Sequence, residues 1–273
     1  MKKTILRLGL IAMVFASLAA CNGNPSETNN NDESAPVGEL VLDSLQADTA
    51  WMVKVPFSDG NEVDSASISI SLCYPDQEHA PLLANAVMEW IEESLDMAIN
   101  RQQASLDPYI QKCLAQNREE DYDKTLNIEM TRVYETPDIV TFALNCYEYS
   151  MGAPHGYSTF RGATFRKSDG KVFGWNMFKG RRIDNELVKQ GLKEYFGVSS
   201  DADLQNTLMM LDSYSVNNLP MPVTDPWVEA DGVHFVYQAY EIASYADGQP
   251  AFTLPIGTLK TQLTPAALRL LME

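Results

Sequence analysis

The imidazole of His155 and the carboxylate of Glu241 are the side chains in this sequence best suited to general acid–base chemistry. His155 stands between Pro154 and Gly156, a setting typical of a loop, and Glu241 follows a run of large residues typical of a strand. A carboxylate in that position is expected to be partly buried and to need hydrogen-bond donors. We therefore favour a structural role. In this structural role, Glu241 accepts hydrogen bonds from backbone N–H groups of the Gly152–Gly156 turn or of its own loop, and His155 forms a hydrogen bond with the backbone.

No motif that would complete a catalytic site accompanies this pair. The three histidines show neither His-x-x-x-His nor His-Glu-x-x-His spacing, and no Cys-x-x-Cys pair is present. Glycine patterns of hydrolase elbows, P-loops and dinucleotide sites are also missing. We expect no metal, no required cofactor and no enzymatic activity. The alternative is an accessory to a cell-wall glycan hydrolase or deacetylase, with weak acid–base chemistry at His155 and Glu241.

Charge limits the classes of partner. The chain has 273 residues with 37 Asp and Glu against 20 Lys and Arg, and its formal net charge is −17. This excess of acid argues against nucleic acid, because phosphate binding needs clustered basic side chains. The length of 273 residues is sufficient for a core that needs no disulfide support, and the hydrophobic fraction of 45% is ordinary for a globular fold. A basic protein is the partner that the charge favours.

The first 38 residues are predicted to export and anchor the chain. Basic residues precede an apolar run, Leu8–Leu18, which suits a signal peptide and is too short to cross a bilayer. Leu18-Ala19-Ala20-Cys21 resembles a lipoprotein signal-peptidase site, at which residues 1–20 are removed and Cys21 is acylated. An ordinary secretory signal is the alternative. Residues 21–38 then form the lipidated cysteine and a flexible polar tether, which places the protein in the cell envelope on a membrane.

Three further cysteines leave the thiol chemistry open. Cys73 and Cys146 lie in strand-like sequence and Cys113 in helix-like sequence. An odd number in an exported protein leaves at least one thiol unpaired. One disulfide of unassigned pairing and three buried free thiols are both consistent with the sequence.

The elements that position these residues form a mixed pattern. Alternating hydrophobicity predicts strands at 65–74, 126–134, 139–149, 158–166, 172–175, 227–229, 233–240 and 251–254. Helical periodicity and capping residues predict helices at 81–98, 107–118, 184–196 and 201–211, and from 264 onward. Because helices and strands segregate, we predict an α+β fold with antiparallel sheets and packed helices. The body divides into residues 39–170 and 171–273, as two closely packed halves or one unit.

Two segments rich in tyrosine and glycine stand out. The first is YEYSMGAPHGY at 147–157, followed by an Asp-Gly-Lys hairpin at 169–171. The second is FVYQAYEIASYADG at 235–248, followed by a strand that ends in Pro255. In this order and spacing they resemble a bacterial extracellular domain of unknown function, shared by RsiV anti-sigma factors and PdaC peptidoglycan deacetylases. Met151 stands where that family has a glycine, and Pro154 is inserted before His155.

The resemblance implies an α+β envelope domain that binds and does not catalyse. In RsiV-like proteins the domain recognises lysozyme, a basic glycan hydrolase, so a lysozyme-like protein or peptidoglycan is the implied partner. The sequence shows neither the membrane span of RsiV nor the deacetylase domain of PdaC, so neither activity is expected. Tyr237 and Tyr240 are expected in the core or on a sheet face. The candidate binding or structural residues are Gly152, His155, Gly156, Tyr157, Tyr240, Glu241, Tyr245 and Gly248.

Overall fold

Two sheets dominate the fold. The structure, a computed structural model, describes residues 40–53, 63–94, 124–150, 153–209 and 215–272. The larger sheet has six strands in chain order: β1 (Leu42–Val53), β2 (Val63–Pro75), β3 (Lys124–Glu135), β4 (Ile139–Ser150), β5 (Tyr157–Arg166) and β6 (Val172–Phe173). The smaller sheet comprises β7 (Trp227–Glu229), β8 (Gly232–Val236) and β9 (Ala251–Leu254). Together with the helices, these sheets confirm the α+β class.

One described helix lies between strands of the larger sheet, and the others precede or follow the strands of the smaller sheet. Residues 81–94 form α1, and the others are α2 (Asn185–Phe196), α3 (Asp201–Thr207), α4 (Ile256–Leu259) and α5 (Pro265–Met272). Helix α2 begins where predicted, because the Asp184 side chain accepts the N–H of Glu186, and it ends at Gly197 with a left-handed φ of 66°. No helical stretch in the described ranges has the length and apolar character of a membrane span.

One strand pair departs from the predicted antiparallel arrangement. Strand β2 runs antiparallel to β1 but parallel to β3, with Ile70 level with Ile128. Parallel neighbours need a crossover connection, and α1 lies within the one between β2 and β3. The prediction of antiparallel sheets was therefore wrong for the β2–β3 pair, because an alternating pattern gives the faces of a strand and not the direction of its neighbour.

Alternation in the strands produces two buried clusters. One face of the larger sheet packs against α1, with Phe142 and Phe165 facing the helix residues Val87 and Ile91. A second cluster joins Ile139 to α2, the smaller sheet and the C-terminal helices. On the opposite face of the sheet, Trp227 lies so close to Gly162 that an added Cβ would come within 2.1 Å of its ring. The division of the body after residue 170 stays a prediction.

Several element boundaries differ from those predicted. The strand predicted at 233–240 ends at Val236, because residues 238–241 close a turn in which Glu241 N–H donates to Gln238 C=O at 3.0 Å. The helix predicted at 201–211 ends at Thr207. Tyr195 near the end of α2 is 39% exposed and donates its hydroxyl to Asp247 C=O. The helix predicted at 107–118 lies outside the described residues.

Cys73 and Cys146 are free thiols. Strand register places Cys146 level with Ile128 and Ile70, whereas Cys73 is three residues beyond Ile70 in β2. The two side chains therefore lie on opposite faces of the sheet, which rules out a disulfide between them. Cys21, Cys113 and Gly152 lie outside the described residues.

Candidate functional site

The two tyrosine-rich segments meet at His155. The imidazole stacks on the ring of Tyr245, with centroids 3.4 Å apart and planes inclined by 14°. Its Nδ1 lies 2.9 Å from Gly156 C=O and its Nε2 lies 3.1 Å from the hydroxyl of Tyr240. Because a carbonyl only accepts, Nδ1 donates to Gly156 C=O, while Nε2 and the Tyr240 hydroxyl share a hydrogen bond. His155 thus lies between two tyrosines from the second segment.

Gly156 contacts residues of both segments. A Cβ at this position would come within 2.3 Å of the Tyr147 hydroxyl oxygen, so no larger residue fits without displacing that ring. Its carbonyl accepts the hydroxyl of Tyr245 at 2.7 Å. The next residue, Tyr157, directs its hydroxyl toward Ala239 C=O at 3.5 Å. The loop around His155 and the 237–245 segment are therefore tied together at several points.

Side chains of the second segment and of Gln249, the residue that follows it, occupy the outer edge of β5. The hydroxyl of Tyr245 binds Gly156 C=O, and the amide of Gln249 donates to Ser158 C=O at 3.1 Å. The amide of Gln238 donates to Phe160 C=O at 2.7 Å and accepts Phe160 N–H at 3.2 Å. An uncovered strand edge is a template for pairing with another chain. Here the side chains of Tyr245, Gln249 and Gln238 take the place of the missing strand, so this edge of β5 is not available for pairing with another chain.

Gln238 and Gln249 were not identified from the sequence. Gln238 is buried, and its amide also donates to Thr224 at 2.7 Å. The sequence signal was a glutamine within a run of large residues. Such a glutamine is expected to be buried, and a buried side-chain amide requires several hydrogen-bond partners. That signal does not name the partners, which lie 78 positions away in β5.

Glu241 binds two backbone amides. Its Oε1 accepts the N–H of Val223 and its Oε2 accepts the N–H of Gln238, each at 2.8 Å. Burial raises the pKa of Glu241, and the two amide hydrogen bonds oppose that shift. The carboxylate therefore fastens the 238–241 turn to the segment that precedes β7.

Tyr240 has a left-handed backbone. Its φ is 67°, one of two positive values among the non-glycine residues that the structure describes, and its side chain is 50% exposed. It occupies the third position of the 238–241 turn, which normally favours glycine or asparagine. The expectation that Tyr240 lies in the core or on a sheet face was wrong, because the chain turns after Tyr237; of these two tyrosines, Tyr237 is buried and Tyr240 is exposed. The turn presents the aromatic ring of Tyr240 at the surface.

A second turn fixes Tyr245. Ser244 and Asp247 form a reciprocal cap around the 3-10 turn Tyr245–Asp247, in which the Ser244 hydroxyl donates to Asp247 at 2.6 Å. Gly248 follows with a φ of 77°, and a Cβ there would lie 2.9 Å from the Tyr195 hydroxyl oxygen. Gly248 therefore ends the turn that holds Tyr245 beneath His155.

His155 and Glu241 have different partners. Glu241 uses both oxygens on backbone amides, whereas His155 contacts Gly156, Tyr240 and Tyr245, and no hydrogen bond joins the two side chains. No three His, Cys, Asp or Glu side chains in the described part of the chain lie close enough to hold a metal ion. The arrangement is suited to presenting aromatic groups.

Residues 181–257 match a family model described as a protein of unknown function, DUF3298. A DUF3298 family member from Bacteroides fragilis NCTC 9343 is similar in structure, with a TM-score of 0.59 and 17% identity over 86% of this chain and 99% of that chain. A DUF3298 family protein from Pseudomonas aeruginosa PAO1 has a TM-score of 0.55 and 17% identity over 84% and 96%. No curated protein matches the chain. At this identity the likeness concerns the fold. The segment that carries Tyr240, Glu241, Tyr245 and Gly248 is therefore similar to the DUF3298 domain family.

Proposed function

We propose that this chain is an envelope lipoprotein, attached to a membrane through lipid on Cys21, whose folded part binds a partner protein and does not catalyse a reaction. The membrane attachment is supported by the signal-like sequence before Cys21. Two or three acyl chains give stable anchoring, since each buried methylene contributes about 0.8 kcal/mol. The binding role is supported by the geometry around Tyr240.

The observation that carries the binding role is the exposure of Tyr240 in a conformation that costs free energy. A left-handed backbone costs a non-glycine residue about 1–2 kcal/mol, and such cost is common at functional positions. The Glu241 carboxylate holds this turn and also places Val223, which is 77% exposed, beside it. Tyr240, Val223 and His155 together form what we call the Tyr240 surface. Rigid exposed tyrosines are frequent at the energetic centre of protein interfaces.

Charge selects the class of partner. With a formal net charge of −17, the chain attracts basic proteins over distances up to about 10 Å at moderate salt. A basic glycan hydrolase of the lysozyme type fits that charge and agrees with the resemblance of the tyrosine-rich segments. Neutral or anionic peptidoglycan gains less from the same field. We therefore favour the protein partner.

Binding to hen lysozyme tests this proposal. The full chain, purified in a mild detergent, is expected to bind lysozyme, and raising the salt concentration from 50 to 500 mM should weaken binding by about ten-fold or more. Tyr240→Ala should weaken binding by about ten-fold or more. The matched control is Leu82→Ala, which removes a side chain that is 60% exposed on α1 and should leave binding unchanged. Binding to sedimented peptidoglycan but not to lysozyme would overturn the choice of partner.

Cell fractionation tests the anchor separately. The wild-type chain is expected in the membrane fraction, with an N-terminal peptide whose mass shows acyl groups on Cys21. Cys21→Ser should leave the chain unacylated and remove it from the membrane fraction. A wild-type chain found intact and unmodified in the soluble fraction would contradict the anchor and would leave the binding measurement unaffected.

A further inference from the structure

The second left-handed residue besides glycine is Arg181, in the loop between β6 and α2. Gly180 and Arg181 have consecutive φ values of 69° and 55°. A left-handed backbone is costly for an arginine, and such positions are frequent at functional surfaces. The side chain of Arg181 is exposed and forms no hydrogen bond or ion pair with the part of the chain that the structure describes. What this loop presents to its surroundings is therefore a positive charge.

Three more basic residues lie beside Arg181. Arg182 follows it directly, and Lys179 begins the same turn. The ammonium group of Lys179 donates to Thr261 C=O at 2.9 Å, which brings the loop against the end of α4. Lys260 precedes Thr261 and ends that helix. All four basic side chains are exposed. We call Lys179, Arg181, Arg182 and Lys260 the basic patch.

The basic patch has no carboxylate partners within the described residues. Basic side chains of the larger sheet and of α2 do have such partners: Arg132 and Lys167 pair with Glu135, Arg166 pairs with Asp169, and Lys189 and Lys193 pair with Asp201. Asp184, two residues after the patch, uses its carboxylate on the N–H of Glu186. Four cations without counter-charges, in a chain of formal net charge −17, indicate an external anionic partner.

The surface around these charges is open. A Cβ added to Gly180 in the loop, or to Gly257 one turn before Lys260 in α4, would meet no atom within 4 Å. Thr258 and Thr261 are also exposed, so hydroxyl groups lie among the charges. An extended anionic surface can reach all four charges in such a setting, because no larger neighbouring group stands above these glycines.

We propose that the basic patch docks the folded part of the chain onto an anionic phospholipid membrane, with its guanidinium and ammonium groups on lipid phosphates. Guanidinium groups bind phosphate through two hydrogen bonds, and each Lys or Arg at an anionic bilayer strengthens adsorption about five-fold. Acidic groups more than about 10 Å from the lipid are screened, so the local charge decides. The inference rests on the proposed anchor at Cys21, because a tether of residues 22–38 keeps the start of the folded part within roughly 20–25 Å of the lipid.

Lysine labelling on vesicles tests the docking. The processed, lipidated chain is added to preformed vesicles of phosphatidylcholine, or of the same lipid with about 30% phosphatidylglycerol. Flotation measures attachment. An amine reagent that does not cross membranes, followed by mass spectrometry, measures the labelling rate of Lys260 relative to that of exposed Lys171 in the same molecule. We expect Lys260 to be labelled about five-fold more slowly on the anionic vesicles. Raising the salt concentration to about 500 mM should remove the difference.

A double variant keeps Lys260 as the reporter. Arg181→Gln combined with Arg182→Gln removes two of the four charges. It should weaken adsorption about 25-fold and return the labelling rate of Lys260 on anionic vesicles to the value on neutral vesicles. The matched control is Arg132→Gln combined with Arg166→Gln, which lowers the net charge equally but acts at ion pairs of the larger sheet. Protection of Lys260 should persist in this control, and its loss there would overturn the assignment to the basic patch.

The results separate docking from anchoring. Flotation with both kinds of vesicle, together with equal labelling of Lys260 on both, would overturn the docking and leave the anchor intact. Flotation with anionic vesicles alone would support the basic patch and contradict the anchor, whereas flotation with neither would contradict both. Protection of Lys260 by inorganic phosphate on neutral vesicles would show a site for a small anion and would overturn the membrane as the partner.

Discussion

The side-chain amide of Gln238 pairs with both main-chain groups of Phe160, as a neighbouring strand would. Its nitrogen lies 2.7 Å from the Phe160 carbonyl oxygen, and its oxygen lies 3.2 Å from the Phe160 amide nitrogen. Gln249 reinforces the contact, because its amide donates both to Ser158 C=O and to the Gln238 side chain. The side chains of Gln238 and Gln249 therefore satisfy main-chain groups at the free edge of β5. This links the stability of β5 to the 238–241 turn, which presents Tyr240.

Gln238→Ala should destabilise the protein strongly. The change leaves Phe160 N–H and C=O without their partner and also removes the bond to Thr224. We expect the free energy of unfolding to fall by about 2–4 kcal/mol, measured by urea denaturation. Gln77→Ala, which removes an exposed glutamine bonded to Asn85, should change it by less than about 0.5 kcal/mol. Equal effects of the two substitutions would contradict the edge pairing.

Gly156→Ala should be destabilising because of Tyr147. The added methyl group would overlap the phenol ring, and the His155 loop or the ring must shift. We expect a loss of about 1–3 kcal/mol in unfolding free energy. The control is Gly257→Ala in α4, where an added Cβ meets no atom within 4 Å and should have no destabilising effect. A Gly156→Ala protein as stable as wild type would show that Tyr147 does not contact the loop closely.

Substitution at Tyr240 separates backbone strain from side-chain contacts. Both Tyr240→Gly and Tyr240→Ala lose the hydroxyl contact with His155, but only glycine adopts a φ of 67° without cost. The glycine variant should therefore be more stable than the alanine variant by about 1 kcal/mol. Outside such turns, an alanine variant is normally more stable than a glycine variant. If Tyr240→Ala were more stable than Tyr240→Gly in chemical denaturation, a left-handed backbone at Tyr240 would be excluded.

His234 should make stability fall in mild acid. Burial between the strands lowers the pKa of His234 below its ordinary value of 6.5, although Glu229 and Asp231 oppose the shift. The unfolded chain therefore binds the proton first, so stability is present above about pH 6.5 and is lost as the pH falls toward 5. His234→Gln should reduce this slope, measured by urea denaturation at pH 7.5, 6.5 and 5.5. Exposed His79 is present in both proteins and does not enter the difference. An unchanged slope would contradict a buried neutral His234.

Local patterns predicted most of the described strands and helices, but they missed β1 (Leu42–Val53). Asp184 and Gly197 gave both ends of α2, and alternation located β3, β4 and β5 to within two residues. The parallel pairing of β2 with β3 was not predictable in this way, since it depends on how the chain crosses over through α1.

The site was predictable only in part. Sequence singled out His155, Glu241 and the surrounding tyrosines as residue types, and it favoured backbone bonding for both His155 and Glu241. It did not show that Gln238 and Gln249 replace a strand, because their partners in β5 are distant in sequence. It also placed Tyr240 in the core or on a sheet face, because alternation continues through residue 240 while the backbone turns at 238. Such a turn is recognised from glycine or asparagine, and here a tyrosine takes that position.

The dissociation constant of lysozyme for the full chain carrying Tyr240→Gly, beside that of wild type, tests the binding role most directly. This substitution removes the exposed ring and keeps the backbone of the turn free of strain, so loss of binding cannot be attributed to unfolding. We predict that affinity falls about ten-fold or more while the melting temperature stays at or near the wild-type value. Wild-type affinity in this variant, or absence of lysozyme binding by the wild-type chain, would contradict the proposed role of the Tyr240 surface.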